Sequence, residues 1–156
     1  MQIRLIVIGS KQKNWVEQAF LNYSKRLPAH WQFSLHEISA PKRAKNESIS
    51  SLIKKEGLKV LSEIKNNEYL IVLDENGTQF NSSELSKKII NLNINNNNFC
   101  FVIGGADGLS GQVKKRADLI WSLGKLTLPH GLVRIIFIEQ LYRIWSLMSH
   151  HPYHRA

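Results

Sequence analysis

The chain has 156 residues, 43% of them hydrophobic and 21% charged, enough for one domain with a single core and ordinary for a globular protein. Twenty-one Lys and Arg against twelve Asp and Glu give a formal charge of +9, a field that favours polyanionic partners, nucleic acid first among them. The single cysteine excludes an internal disulfide framework, and no apolar run reaches the roughly 18 residues of a membrane helix.

The opening MQIRLIVIGSKQKNW turns polar too early for a signal peptide, so a cytoplasmic protein is expected. IRLIVIG (3–9) is a short β-branched run ending at glycine and predicts a buried strand. WVEQAFLNYSKRL (15–27) has apolar residues at helical spacing and is stopped by Pro28, and WQFSLHEI (31–38) alternates as a half-exposed strand does. APKRAKN (40–46) reads as a basic loop. With Lys11, Lys13, Lys25 and Arg26, its segment PKRAK (41–45) offers either an RNA-docking surface or a solvated face. Residues 47–65 carry a helical pattern with Gly57 as its weak point.

YLIVLD (69–74) predicts another buried strand, with ENG (75–77) marking a turn. Asn81 and Glu84 have capping-box spacing and open a helix over about 82–92, and the asparagine-rich NLNINNNN (91–98) reads as a loop. FCFVI (99–103) is a third β-rich run, in which Cys100 reads as a buried inert thiol. DLIWSLG (118–124) is a possible further strand, and residues 131–149 form a long final helix. Strands alternating with helices argue for an α/β layer fold with a largely parallel sheet.

No Walker sequence is present, and the first strand lacks the glycine fingerprint of dinucleotide-binding folds. The glycines cluster instead in IGGADGLSG, at Gly104, Gly105, Gly108 and Gly111. Adjacent glycines at a strand's C-terminal end let backbone approach a ligand. They equally suit a tight turn into a helix capped by Ser110. LGKLTLPHG (123–131) is a loop whose backbone could read an adenine edge between Leu123, Leu126 and Leu128, or an ordinary connector ending at Pro129.

On the final helix Glu139, Gln140, Arg143 and Ser146 share a polar face, with Glu139 and Arg143 paired i,i+4. Arg134 falls on the apolar side near the helix N-terminus, where a cation is disfavoured. It either snorkels back to water, the plainer reading, or meets an acidic side chain, a second subunit or an anionic ligand. The closing SHHPYHRA (149–156) holds three histidines. His150 and His154 have the i,i+4 spacing of a metal pair, but Pro152 between them argues against the helix that pair would need. No metal is expected.

Taken in order and spacing, LIVIGSKQKNW (5–15), IGGADGLS (103–110), LTLPHGLVR (126–134) and IEQLYRIWSLMSHHPYH (138–154) resemble the RlmH group of small SPOUT-superfamily methyltransferases. The likeness covers essentially the whole chain as one domain, 1–156. It implies an α/β fold with a mainly parallel sheet flanked by helices and a C-terminal trefoil knot, which sequence rules alone would not offer. It implies S-adenosylmethionine as methyl donor, leaving S-adenosylhomocysteine, and N3 of a pseudouridine in 23S ribosomal RNA as acceptor, within an assembled ribosome. It also implies a homodimer that completes each site at the subunit interface.

Residue by residue, the resemblance assigns Leu73, Gly104, Leu123, Gly124, Lys125, Leu126, Thr127 and Leu128 to the cofactor pocket. Tyr153, His154 and Arg155 become the substrate-facing trio, with His154 a candidate proton acceptor, Arg155 an anion partner and Tyr153 a stacking ring. His130 is a rival base, or more simply a hydrogen-bonding residue at the helix start. Two other functions fit the composition: a non-catalytic RNA-binding or ribosome-assembly factor of the same fold, and a nucleotide-binding α/β protein of different chemistry.

Overall fold

The computed structural model describes residues 1–9, 12–41 and 47–154, His154 through its backbone alone. Lys11, most of the basic segment 41–45, and Arg155 lie outside the described residues. Strands and helices alternate: β1 (Gln2–Ile8), α1 (Asn14–Ser24), β2 (Gln32–Ile38), α2 (Ile49–Glu63), β3 (Tyr69–Gln79), α3 (Ser82–Asn95), β4 (Asn98–Ile103), α4 (Gly111–Arg116), β5 (Leu119–Ser122) and α5 (His130–Met148). A 3-10 turn at Pro152–His154 follows. The five strands form one sheet in the order β2-β1-β4-β3-β5, with every neighbouring pair parallel.

Side-chain alternation along the central strands builds two apolar layers. Ile3, Leu5, Val7, Ile71, Leu73, Phe99, Phe101 and Ile103 point to one face, where they meet Phe20 of α1, Leu85 and Ile89 of α3, and Phe137, Ile138, Leu141 and Ile144 of α5. Ile6, Ile8, Leu70, Val72, Cys100 and Val102 point to the other, against Val60 of α2 and Val113 of α4. Burial pushes the Cys100 thiol up to about 12, consistent with an inert core residue.

Local signals explain most element ends. Asn81 Oδ1 accepts from the Glu84 amide and Glu84 Oε2 from the Asn81 amide, both at 2.9 Å, so the capping box forms as expected. Ser110 Oγ accepts the Val113 amide at 3.3 Å and opens α4. Gly57 is a packing requirement, because a Cβ there would lie 2.1 Å from Ser110 Oγ. Two expectations are corrected. The asparagine-rich stretch is helical through Asn95, held by the cap at one end and by Leu92, packed on the core, near the other. The chain also does not leave the sheet at ENG: Leu73 and Thr78 both pair with Trp121, so residues 74–77 bulge out and β3 then resumes.

Candidate functional site

The C-terminal ends of β3, β4 and β5 open into a cleft of about 610 Å³, the edge at which open α/β sheets receive ligands. Three loops wall it. The β3 bulge supplies Asp74, Glu75 and Asn76 beside Leu73, the glycine loop supplies Gly104 to Leu109, and the segment after β5 supplies Leu123, Gly124, Leu126, Thr127, Leu128 and Pro129. His130 and Val133 of α5 close the floor. Of the eight residues assigned to a cofactor pocket by resemblance, all but Lys125 line this one cleft.

Backbone freedom shapes these walls. Gly108 and Gly124 have φ of +88° and +135°, values that penalise any side chain. At Gly105 a Cβ would stand 2.9 Å from Glu56 Oε2, so the loop rests directly on a carboxylate from α2. Burial, then the charge of Asp107, raises the pKa of Glu56, while Lys59 pulls it down. Leu126 is 78% exposed at the rim, an apolar side chain free to cover a ligand.

The charges lining the cleft are unlike those of the chain as a whole. Among the described residues, Asp74, Glu75 and Asp107 face one cation, Lys114, which bridges to Asp74 Oδ2 at 2.6 Å. Burial would raise the Asp74 pKa, but hydrogen bonds from Lys114 and Asn76 outweigh it and hold the carboxyl below its ordinary range. An acidic cleft in a basic protein suits a cationic small molecule and repels polyphosphates.

His130 is not a free base. Its Nε2 accepts from Arg134 Nε at 3.2 Å. Burial, then the neighbouring Arg134 charge, lowers its pKa and keeps the ring neutral. The helix-start reading of His130 therefore holds. Arg134 does not snorkel: it is 3% exposed, with Nη1 on Glu37 Oε1 at 2.5 Å and Nη2 on the Gly9 carbonyl. The acidic partner is the alternative realised, because burial of a guanidinium demands full pairing.

The described part of the tail, through Tyr153, sits elsewhere. His150 takes a left-handed φ of 54°, and the His151 amide reaches back to the Ser146 carbonyl at 2.9 Å, the closing bond of a Schellman motif. The helix thus ends before His150, and His150 and His154 do not share a helical face. Among the described residues no group of three His, Cys, Asp or Glu could hold a metal. Tyr153 docks on its own subunit: its hydroxyl donates to Glu139 Oε1 at 3.0 Å and lies 3.3 Å from the Tyr23 hydroxyl. Its ring meets Tyr142 edge-on at 4.7 Å, with the Arg143 guanidinium 5.2 Å from its centroid.

Burial, then the bonds to Tyr23 and Glu139, raises the Tyr153 pKa, so the phenol stays neutral. Tyr142 lies twelve residues beyond His130 on α5, about 18 Å at the helical rise. The structure gathers the cofactor-assigned residues and sets Tyr153 apart from them. Sequence reasoning missed Asp74, Glu75, Asp107 and Lys114; Asp74 stood at the end of a strand and Glu75 inside an apparent turn.

The chain matches the family described as "Predicted SPOUT methyltransferase" over residues 1–154. It is 41% identical over 155 residues to the Ribosomal RNA large subunit methyltransferase H of Thioalkalivibrio sulfidiphilus, covering 99% of each chain. Identity to the protein of that name from Dichelobacter nodosus is 41% over 156 residues and the full length of both. A probable methylase family protein from Haemophilus influenzae Rd KW20 superposes with a TM-score of 0.58 at 10% identity, over 95% of this chain and 66% of that one, a likeness of fold.

Proposed function

This chain belongs to the SPOUT methyltransferase family, and on that premise we propose that it methylates N3 of a pseudouridine in large-subunit ribosomal RNA using S-adenosylmethionine. The observation that carries the reading is the acidic, glycine-walled cleft at the ends of β3, β4 and β5. Its volume lies within the roughly 300–1,000 Å³ of small-molecule sites. Its lining favours a ligand bearing a sulfonium and an ammonium over ATP or NAD, which argues against nucleotide chemistry. A purely RNA-binding factor would have no need of such a cleft.

When bound, the cofactor supplies an electrophilic methyl group. The loop 123–128 would hold an adenine by backbone groups between Leu123, Leu126 and Leu128, and Gly104 and Leu73 would form the floor beneath it. The imide N3 is protonated at neutral pH, so the protein must help remove that proton or stabilise the anion. His130 Nε2 is taken up by Arg134 and Tyr153 is held neutral. On this reading the substrate-facing group is Tyr153, His154 and Arg155, with His154 the candidate proton acceptor and Arg155 a candidate partner for negative charge.

A Tyr153 docked away from its own cleft fits a homodimer in which one subunit's tail serves its partner's cleft. The family's C-terminal trefoil knot belongs to the same reading. The chain passes from β4 to β5 across β3 on the α2/α4 face and returns as α5 on the opposite face. The positive surface would dock the assembled ribosome.

Two measurements test the proposal. Calorimetry should show S-adenosylmethionine binding in preference to ATP and NAD. Mass mapping of 23S ribosomal RNA from a deletion strain should lack one methyl on a single pseudouridine. An unchanged methylation map would refute the assignment.

A further inference from the structure

Lys114 is the exception in the lining of the cleft. Three carboxylates share that lining with it, and among the described residues it is the one charged base there. His130, the other basic side chain of the lining, is kept neutral chiefly by burial. Lys114 belongs to α4, a short helix carrying three consecutive cations, Lys114, Lys115 and Arg116. Val113 is fully buried and fixes how that helix sits on the sheet. Of the three cations only Lys114 lines the cleft. Lys115 is exposed, and Arg116 pairs with Asp118 at 3.4 Å. Those two already complement the C-terminal end of the helix dipole, so Lys114 is not needed for that.

The bridge to Asp74 occupies only part of the ammonium. Lys114 Nζ stands 2.6 Å from Asp74 Oδ2, while Oδ1 accepts the Asn76 amide at 3.1 Å. The aspartate side chain is 9% exposed and that of Lys114 33% exposed, so the acid is buried and the ammonium faces the cavity. An ammonium carries three donors, and Asp74 takes one. No other hydrogen bond to Lys114 occurs among the described residues. Two donors are thus open to a ligand, on a long side chain already held in place, which lowers the entropy cost of a second contact.

An amino-acid portion brings both charges into the cleft. Its ammonium suits Glu75 and Asp107, which are exposed there. Its carboxylate is repelled by the same walls and has Lys114 to receive it. We propose that Lys114 binds the α-carboxylate of the cofactor's amino-acid portion and so selects ligands that carry one. The inference rests on the reading of the cleft as an S-adenosylmethionine site. It adds a specificity-determining residue that neither the sequence pattern nor the family resemblance assigned to that site. A bridge that merely tied the β3 bulge to α4 would not distinguish ligands by this group.

Calorimetric titration of the full chain with two ligands tests this: S-adenosylhomocysteine, and S-adenosyl-3-thiopropylamine, the same thioether without its carboxylate. Wild type should bind S-adenosylhomocysteine about tenfold more tightly, the equivalent of one charge-assisted hydrogen bond. Acidic walls alone predict the reverse order, because the amine carries the greater positive charge. Lys114→Met should weaken S-adenosylhomocysteine about tenfold and leave the amine within about twofold of its wild-type affinity. Equal losses for both ligands would show a structural role for the bridge and overturn the inference alone. If Lys114→Met does not fold, wild-type protein that binds the amine as tightly as S-adenosylhomocysteine overturns it instead. Wild-type protein that binds neither ligand would remove the cofactor reading and this inference together.

Discussion

Tyr153 and Glu139 are joined across fourteen residues by a 3.0 Å hydrogen bond, and the accepting oxygen also takes Arg143 Nε and Nη2 at 3.0 and 2.7 Å. One carboxylate oxygen therefore holds both the i,i+4 partner and the returning tail. Neutralising it should cost more than an exposed ion pair does. Glu139→Gln is expected to lower stability by about 2 kcal/mol, read as a shift in urea midpoint without a change in slope.

Deleting residues 152–156 should leave S-adenosylhomocysteine affinity unchanged, since neither Pro152 nor Tyr153 lines the cleft. It should abolish methylation if the tail serves the acceptor base. The cost to stability should be about 1–2 kcal/mol, because the Tyr142–Tyr153 edge-on contact disappears. A truncated enzyme that methylates ribosomes at the normal rate would remove the tail from the mechanism.

At Gly77 a Cβ would stand 2.7 Å from the Ile120 carbonyl oxygen and 2.7 Å from the Trp121 carbonyl carbon. Backbone cannot yield as a flexible side chain can. Gly77→Ala should therefore destabilise by about 3 kcal/mol and disturb the neighbouring bulge, so cofactor affinity should fall with it. Denaturation and calorimetry on one sample would show both effects.

The neutral His130 makes a pH prediction. Its pKa is lowered in the folded chain, so between that value and the ordinary histidine value near 6.5 the unfolded chain binds the extra proton. This residue's contribution is then fully present above pH 6.5, and stability falls as pH drops through that window. His130→Gln should flatten the stability profile just below pH 6.5. An identical slope in both proteins would show that His130 is not the group responsible.

Much of this was readable from local pattern. The alternation of β-branched runs with amphipathic stretches, the Asn81–Glu84 box and the Ser110 cap are properties of a few neighbouring residues, and they place the starts of the elements they mark, although α3 and β3 both run further than expected. The DENG excursion was half-readable: its residues do fall out of register with β5, but the resumption at Thr78 depends on β5 running alongside with no room for a side chain at Gly77. Arg134 showed itself as an anomaly, yet its partner Glu37 is 97 residues away, and no local rule reaches that far. The docking of Tyr153 was invisible for the same reason, as Tyr23 comes from the other end of the chain.

The helix α5 acts as a spacer between the two halves of the proposed chemistry. A two-fold partner packed antiparallel along that helix would place each tail at the opposite cleft, giving two composite sites across one isologous interface. Two inactive proteins could then repair one another: subunits lacking 152–156 mixed with subunits whose cleft cannot bind the cofactor. After random reassortment at equal amounts, half the dimers would be mixed, each carrying one intact site and one doubly defective site. Activity should return to about a quarter of the wild-type level, whereas sites built within single subunits would recover none.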